Sequence, residues 1–136
     1  MSTDNDGKYL ENEVEKYIND LKRMEVAIMR LPDSRSARNL MAGQNADFIV
    51  STSEMGAAHL ECKSIKGDKL VLRKFRQLPN MKRWSAAGLR GFVLCHFYDL
   101  DRFALVNVDD LDPSKASWKI NNACFRSLKE IMGWLI

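Results

Sequence analysis

The sequence predicts an α/β fold, in which helices flank one central mixed β-sheet. The chain has 136 residues, 46% hydrophobic and 29% charged, which is the composition of one globular domain spanning 1–136. Amphipathic helical patterns lie near both ends of the chain. Between them lie short segments that are either wholly apolar or alternate between apolar and polar residues. This composition excludes a disordered, collagen-like or disulfide-stabilised protein. No apolar run approaches the ~18 residues of a membrane span, so no membrane partner is expected.

The first predicted element is a long helix from Gly7 to Arg30, preceded by six frayed residues. Apolar residues recur in it three and four positions apart, and Asp6 is suitably placed to cap its first turn. Pro32 stops this helix, because proline disfavours helical geometry in the residue before it. A polar, basic loop from Ser34 to Gln44 follows.

A strand hairpin comes next, formed by Ala46–Ser51 and Ala58–Ile65 around a short turn. Alternation in the second strand places His59, Glu61 and Lys63 on one face and its apolar residues on the other. The remaining elements are extended chain at Lys69–Lys74, a helix at Leu78–Ala87, strands at Gly91–Tyr98 and Phe103–Val108, a loop at Asp109–Trp118 and a closing helix at Ala123–Trp134. Gly91–Tyr98 is almost wholly apolar, which is typical of a strand covered on both faces.

Positive charge is concentrated in one segment. Lys63 to Arg90 contains nine basic residues and one acid, a charge of +8, whereas the whole chain carries +3. This separation indicates either a polyanionic partner such as nucleic acid or a solvated lysine-rich face. The candidate phosphate contacts are Lys66, Lys69, Arg73, Lys74, Arg76, Lys82 and Arg83, with Arg35 and Arg38 in the preceding loop as further candidates.

The cysteines indicate a reducing compartment. Cys62, Cys95 and Cys124 are odd in number and form no CxxC pair, so we expect free thiols and no zinc site. The polar, acidic start of the chain lacks the features of a secretory signal. A cytoplasmic protein is therefore expected.

Two acids and a lysine carry the chemical signal. Asp47 and Glu61 fall on neighbouring predicted strands, where their carboxylates can converge on a hard divalent cation, and the Cys62 carbonyl could add a third oxygen. Lys63 shares a strand face with Glu61, so its ammonium could act on a metal-bound water or on developing charge. Glu11 on the first helix is available as a further ligand. The alternative interpretation is an ordinary solvated charge pair.

The ordered set Glu11, Asp47 and Glu61-x-Lys63 resembles the PD-(D/E)xK nuclease superfamily, and most closely the RecU-type Holliday junction resolvases of bacteria and their phages. The resemblance continues through Leu72–Leu78, where Gln77 precedes a helix, and through the strand Gly91–Phe97. It covers roughly residues 7–111. One departure is Ala46, which stands where the family pattern has proline.

The resemblance implies a restriction-endonuclease-like core and a Mg²⁺-dependent endonuclease, with Mn²⁺ able to substitute. It implies a homodimer that cuts four-way DNA junctions, leaves 5′-phosphate and 3′-hydroxyl ends and needs no small-molecule cofactor. Asp47, Glu61, the Cys62 carbonyl and Glu11 would hold the metal, Lys63 would be the catalytic lysine, and Gln77 would lie near the site or the DNA backbone. The alternatives are another nuclease of the superfamily, of restriction or repair type, a non-catalytic DNA-binding module on the same fold, and a basic RNA-associated protein.

Overall fold

The computed structural model describes residues 3–21, 26–31, 46–54, 56–120 and 127–130. Two α-helices and seven strands are defined within these ranges. They are α1 (Thr3–Leu21), β1 (Val26–Arg30), β2 (Phe48–Thr52), β3 (Gly56–Ile65), β4 (Lys69–Val71), α2 (Leu78–Ala86), β5 (Arg90–Phe97), β6 (Arg102–Asn107) and β7 (Ser117–Lys119). Short 3₁₀ turns occupy Leu72–Lys74 and Val108–Asp110.

Five strands form one mixed sheet in the order β1-β2-β3-β5-β6. All neighbours pair antiparallel except β3 and β5, which are parallel. A parallel pair needs a crossover connection, and here the crossover contains α2. Strands β4 and β7 pair separately as a two-stranded sheet.

Two apolar layers hold the helices against opposite faces of the large sheet. Leu10, Val14 and Ile18 of α1 are buried with Phe48, Val50, Leu60, Cys62 and Leu94. Leu78 and Met81 of α2 are buried with a second set that includes Leu72, Phe75, Val93, Cys95, Phe97, Val106 and Val108. The sheet is therefore a middle layer between helices, as the sequence predicts.

Strand β5 contributes to both layers. Leu94 packs in the apolar layer between α1 and the sheet, here called the α1 layer. Val93, Cys95 and Phe97 pack in the layer between α2 and the sheet, the α2 layer. This alternation explains why the segment reads as a continuous apolar run, and it confirms the prediction of a strand covered on both faces. The predicted partner strand Ala58–Ile65 and the helix at Leu78–Ala87 also form, within two residues of their predicted bounds.

The predicted long first helix is wrong beyond Leu21. Residues Val26–Arg30 are strand β1, which pairs with β2 in the register Val26↔Thr52 to Arg30↔Phe48. Ile28 fits the apolar spacing of the predicted helix, but it lies on strand β1. From there its side chain packs against the apolar layer beneath α1. Asp6 lies inside α1, which begins at Thr3, and is not its N-cap.

Two predictions for the second half are corrected. The extended segment Lys69–Lys74 is a strand only to Val71 and then tightens into the Leu72–Lys74 turn. The predicted loop Asp109–Trp118 contains the beginning of β7, because Leu70 pairs with Trp118 across the small sheet. Most of the predicted closing helix and the loop at Ser34–Gln44 lie outside the described residues; residues 128–130 are helical. Among the described helices, none is long and apolar enough to cross a membrane.

Candidate active site

The candidate site forms where strands β2 and β3 separate. Their ladder runs from Thr52↔Gly56 to Phe48↔Leu60 and then stops. At the next position side chains replace the backbone pairing: the Cys62 N–H donates to Asp47 Oδ2 at 2.8 Å, and the Asp47 N–H donates to Glu61 Oε1 at 3.0 Å. Because amides left at the end of a ladder need partners, these two carboxylates are held in place by the backbone itself.

Lys63 projects beside Glu61 from the same face of β3. Its Nζ lies 3.3 Å from Glu61 Oε2 and donates to Gln77 Oε1 at 3.2 Å. The ammonium also lies 5.1 Å from the centre of the Phe75 ring, within the range of a cation–π contact. Gln77 is the residue immediately before α2, so the start of that helix fixes the position of the lysine.

Glu11 approaches the pair from α1. Its carboxyl group shares a hydrogen bond with Asp47, and burial followed by the charge of Asp47 raises the pKa of Glu11 to about 7. Arg30 opposes this increase. Its guanidinium donates to Asn12 Oδ1 at 3.0 Å and lies 3.0 Å from Glu15 Oε2, so β1 and α1 are tied together beside the site.

Burial is the largest influence on the pKa values of Glu11, Asp47 and Glu61. Glu61 is 2% exposed, and burial together with the Asp47 carboxylate raises its pKa to about 8 despite the opposing effect of Lys63. Burial also raises the pKa of Asp47, while the Cys62 amide and Lys63 act in the opposite direction. The carboxyls of Glu11, Asp47 and Glu61 therefore resist ionising together, and a cation placed among them would relieve that cost.

Cys62 contributes its backbone rather than its thiol. Its side chain is buried in the α1 layer, on the opposite face from Glu61, and burial raises the pKa of the thiol. The Cys62 N–H points toward Asp47, and in an extended strand the carbonyl of a residue faces the same side as its N–H. The predicted carbonyl oxygen is therefore on the correct side of β3 to join the two acids.

These residues fit a hard divalent cation. Every donor they offer is oxygen, and their ionisation is suppressed by mutual repulsion and burial. Within the described ranges, no group of three or more His, Cys, Asp or Glu side chains is arranged to enclose a metal ion. Magnesium does not require such a cage, because one or two protein carboxylates with waters and substrate phosphates commonly complete its coordination.

The predicted DNA contacts divide into three groups. Lys66, Lys69 and Lys74 line a groove that also contains Lys63. Arg73 and Arg76 are exposed on the segment leading to Gln77, while Lys82 and Arg83 lie further along α2. Hydrogen bonds from the Ser114 hydroxyl and N–H lower the pKa of the Asp112 carboxyl, and the charge of Lys82 adds to this effect. Arg35 and Arg38 lie outside the described residues.

Sequence reasoning missed two neighbours of the site. Arg30 is assigned to the first helix by its spacing and is found on β1, and Phe75 gives no motif that would mark it as a support for Lys63. Trp84 continues the helical spacing of the buried residues Leu78 and Met81, but its side chain is 49% exposed and does not join the core. The Trp84 ring packs edge-on against His59, whose own side chain is buried and whose pKa is lowered by that burial.

A comparison with solved structures finds the same fold in an archaeal protein. The chain is similar to Hjc, a Holliday junction resolvase from the hyperthermophile Archaeoglobus fulgidus, with a TM-score of 0.61 and 14% sequence identity. The match covers 94% of this chain and 96% of that one. No protein-family model and no curated protein sequence matches the chain.

This likeness shows the fold. The chain has the restriction-endonuclease-like architecture, with a mixed central sheet flanked by helices, and the predicted fold class is confirmed.

Proposed function

We propose that this protein is a metal-dependent DNA endonuclease that cleaves four-way junctions. One observation carries the proposal: Asp47, Glu61 and Lys63 are interlocked by hydrogen bonds and an ion pair at the end of the β2–β3 ladder. The fold shared with an archaeal Holliday junction resolvase adds support for the resolvase class. Assignment to the RecU type rests on the resemblance of the sequence segments alone.

Asp47, Glu61 and the Cys62 carbonyl would hold Mg²⁺ or Mn²⁺, with Glu11 as a further ligand. The bound ion would supply Lewis-acid activation of the scissile phosphodiester and of the attacking water. The other contributions to catalysis would come from side chains of the protein. Lys63, held by Gln77 and Phe75, would orient the water and stabilise negative charge on the phosphate oxygens in the transition state.

The protein would act as a homodimer on branched DNA. A four-way junction is resolved by cuts in two opposing strands, and a two-fold dimer presents two equivalent sites. The basic residues around the groove at Lys63 would supply the non-specific attraction for the DNA backbone.

The test compares cleavage of a synthetic four-way junction with cleavage of linear duplexes that carry the same arm sequences. We expect Mg²⁺-dependent cleavage of the junction, with wild-type protein at least ten times faster on it than on the duplexes. Asp47→Asn and Lys63→Gln should each abolish cleavage while junction binding remains within about threefold of wild type. Glu54→Gln, a substitution at an exposed turn, serves as the matched control and should cleave normally.

The alternatives give different results. Equal cleavage of junction and duplex would indicate a restriction- or repair-type nuclease of the same superfamily. Binding without cleavage by the wild-type protein, in Mg²⁺ and in Mn²⁺, would indicate a non-catalytic DNA-binding module. Preference for structured RNA in a competition assay would overturn the assignment to DNA.

A further inference from the structure

A groove with a strongly positive rim leads away from the candidate site. It has a volume of about 300 Å³ and lies between the end of β3, strand β4 and the turn that follows β4. Leu70 and Phe75, both buried, form part of its lining, and its charged residues are Lys63, Lys66, Lys69 and Lys74. Lys63 belongs to both the groove and the candidate site.

Most of the positive charge of this groove has no acidic partner among the described residues. Among the described residues, no acidic side chain lines it, and Lys66, Lys69 and Lys74 form no ion pair. Asp68 lies in the turn between two of these lysines, but its carboxylate is 3.7 Å from Lys119 Nζ. Lys63 is paired with Glu61, and the other three ammonium groups around the concavity repel each other, so an anion bound there would lower the electrostatic energy of the folded chain.

The size and position of the groove indicate which kind of anion would bind there. A groove of about 300 Å³ has room for a phosphodiester group, and the lysines that line it can only donate hydrogen bonds, which suits the oxygens of an anion. Lys63 lies on β3 and Lys66 directly follows the end of that strand, so the groove begins at the candidate site and continues past it. An anion bound in the groove would therefore lie next to the bond that is cut at the site.

We propose that this groove binds a backbone phosphate one or two nucleotides from the scissile phosphate, on the strand being cleaved. Lys66, Lys69 and Lys74 contact this phosphate, and Lys63 lies between it and the bond that is cut. The groove therefore fixes the direction in which the cleaved strand leaves the candidate site. This inference rests on the proposed nuclease function.

The first experiment compares two triple variants with equal net charge. The groove variant is Lys66→Gln/Lys69→Gln/Lys74→Gln; the control variant is Lys16→Gln/Lys115→Gln/Lys129→Gln, which changes three exposed lysines outside the groove. Junction binding is measured without metal over a range of salt concentrations. We expect the groove variant to bind at least tenfold more weakly, and its log–log salt slope to fall by about 0.9 for each phosphate that it no longer neutralises. The control variant should change affinity by less than threefold.

The second experiment locates the phosphate. Single neutral methylphosphonates replace the phosphates at each of three positions on either side of the cleaved bond. Wild-type cleavage should slow at one or two positions on one side only, and the groove variant should be insensitive to the same replacements. Thermal unfolding of both variants checks that these exposed substitutions leave the fold intact.

The outcomes separate this inference from the function on which it rests. If the wild-type protein cleaves junctions but the groove variant keeps its affinity, salt slope and methylphosphonate sensitivity, the groove proposal is wrong and the nuclease proposal stands. Equal weakening by the groove and control variants also overturns it, since general charge would then explain the effect. If the wild-type protein neither binds nor cleaves DNA, both proposals are wrong.

Discussion

Replacing Glu61 by glutamine should stabilise the metal-free protein at alkaline pH while removing its activity. The Glu61 side chain is almost fully buried, and its pKa is raised from 4.5 to about 8. Glutamine has nearly the same size, and its oxygen can still accept from the Asp47 N–H. It cannot form the ion pair with Lys63, but that ammonium retains its bond to Gln77.

The magnitude of the effect comes from proton linkage. Below pH 4.5 Glu61 is protonated in both the folded and unfolded states and has no effect on the pH dependence. As pH rises from 4.5 to about 8, the unfolded chain ionises more readily, so the folded state loses stability. At about 1.4 kcal/mol per pKa unit, this loss approaches about 5 kcal/mol above pH 8. The pKa of about 8 already includes the opposing effect of Lys63, so the variant should be more stable by up to about 5 kcal/mol at that pH.

The assay is thermal unfolding in EDTA at several pH values. For a chain of this length, ~1 kcal/mol shifts the Tm by about 3–5 °C. The Tm of Glu61→Gln should therefore exceed the wild-type Tm by up to about 15–25 °C at pH 8.5, and the difference should vanish near pH 4.5. Glu54→Gln, the exposed control, should stay within about 1 °C of wild type at both values.

A Glu61→Gln variant with an unchanged or lower Tm at pH 8.5 would refute this reasoning. It would mean that the interactions of the carboxylate with Lys63 and the Asp47 amide fully offset its desolvation, and that burial does not oppose its ionisation. Added Mg²⁺ gives an independent check. It should raise the wild-type Tm at pH 8.5 and have a smaller effect on the variant, because the ligand carboxylate has been removed.

The site and the packing beneath it support three more predictions. Mg²⁺ binding at pH 7 should release between about one and two protons, because the pKa values of Glu11 and Glu61 are about 7 and about 8 and ligands bind deprotonated. Calorimetry in buffers of different ionisation enthalpy measures this, and release of none would contradict it. Gln77→Ala removes one of the two polar partners that Lys63 has among the described residues and should lower single-turnover cleavage about tenfold at unchanged junction affinity. Unchanged cleavage would show that the glutamine does not position the lysine. Gly91→Ala places a Cβ 3.0 Å from a Val108 methyl and should cost about 1–2 kcal/mol in urea unfolding; no cost would mean that this layer repacks freely.

The part of the site on β3 could be predicted because strands have a simple period. Alternation places Glu61 and Lys63 on one face and Cys62 on the other, and the structure has this arrangement. The approach of Asp47 also follows from the sequence, since a hairpin partner must lie beside β3. Glu11 is different. No spacing relates a helix at the start of the chain to this strand, and only the family resemblance indicates it.

The position of Arg30 could not be predicted from spacing. Ile28 continues the helical apolar spacing of α1. The same apolar residues also fit a strand in which alternate side chains are partly buried. Pairing with β2 decides between these possibilities, and that pairing is a long-range contact. Similarly, Trp84 follows Leu78 and Met81 at helical spacing, yet its ring lies edge-on to His59 and remains half exposed. The spacing of apolar residues shows which face of a helix packs on the sheet, but not at which residue the helix extends past the sheet.

The β2–β3 register is the feature on which the candidate chemistry depends. Phe48 pairs with Leu60, and only in this register does the Asp47 N–H meet Glu61 while Asp47 Oδ2 meets the Cys62 N–H. A slip of one residue would turn the apolar side chains of β2 away from the α1 layer, so the core opposes it strongly. Phe48 and Val50, both buried under α1, therefore hold two mutually repelling carboxylates together at the end of the ladder. The stability of this core offsets the cost of the acid pair, which explains how a fold can maintain a site that weakens it.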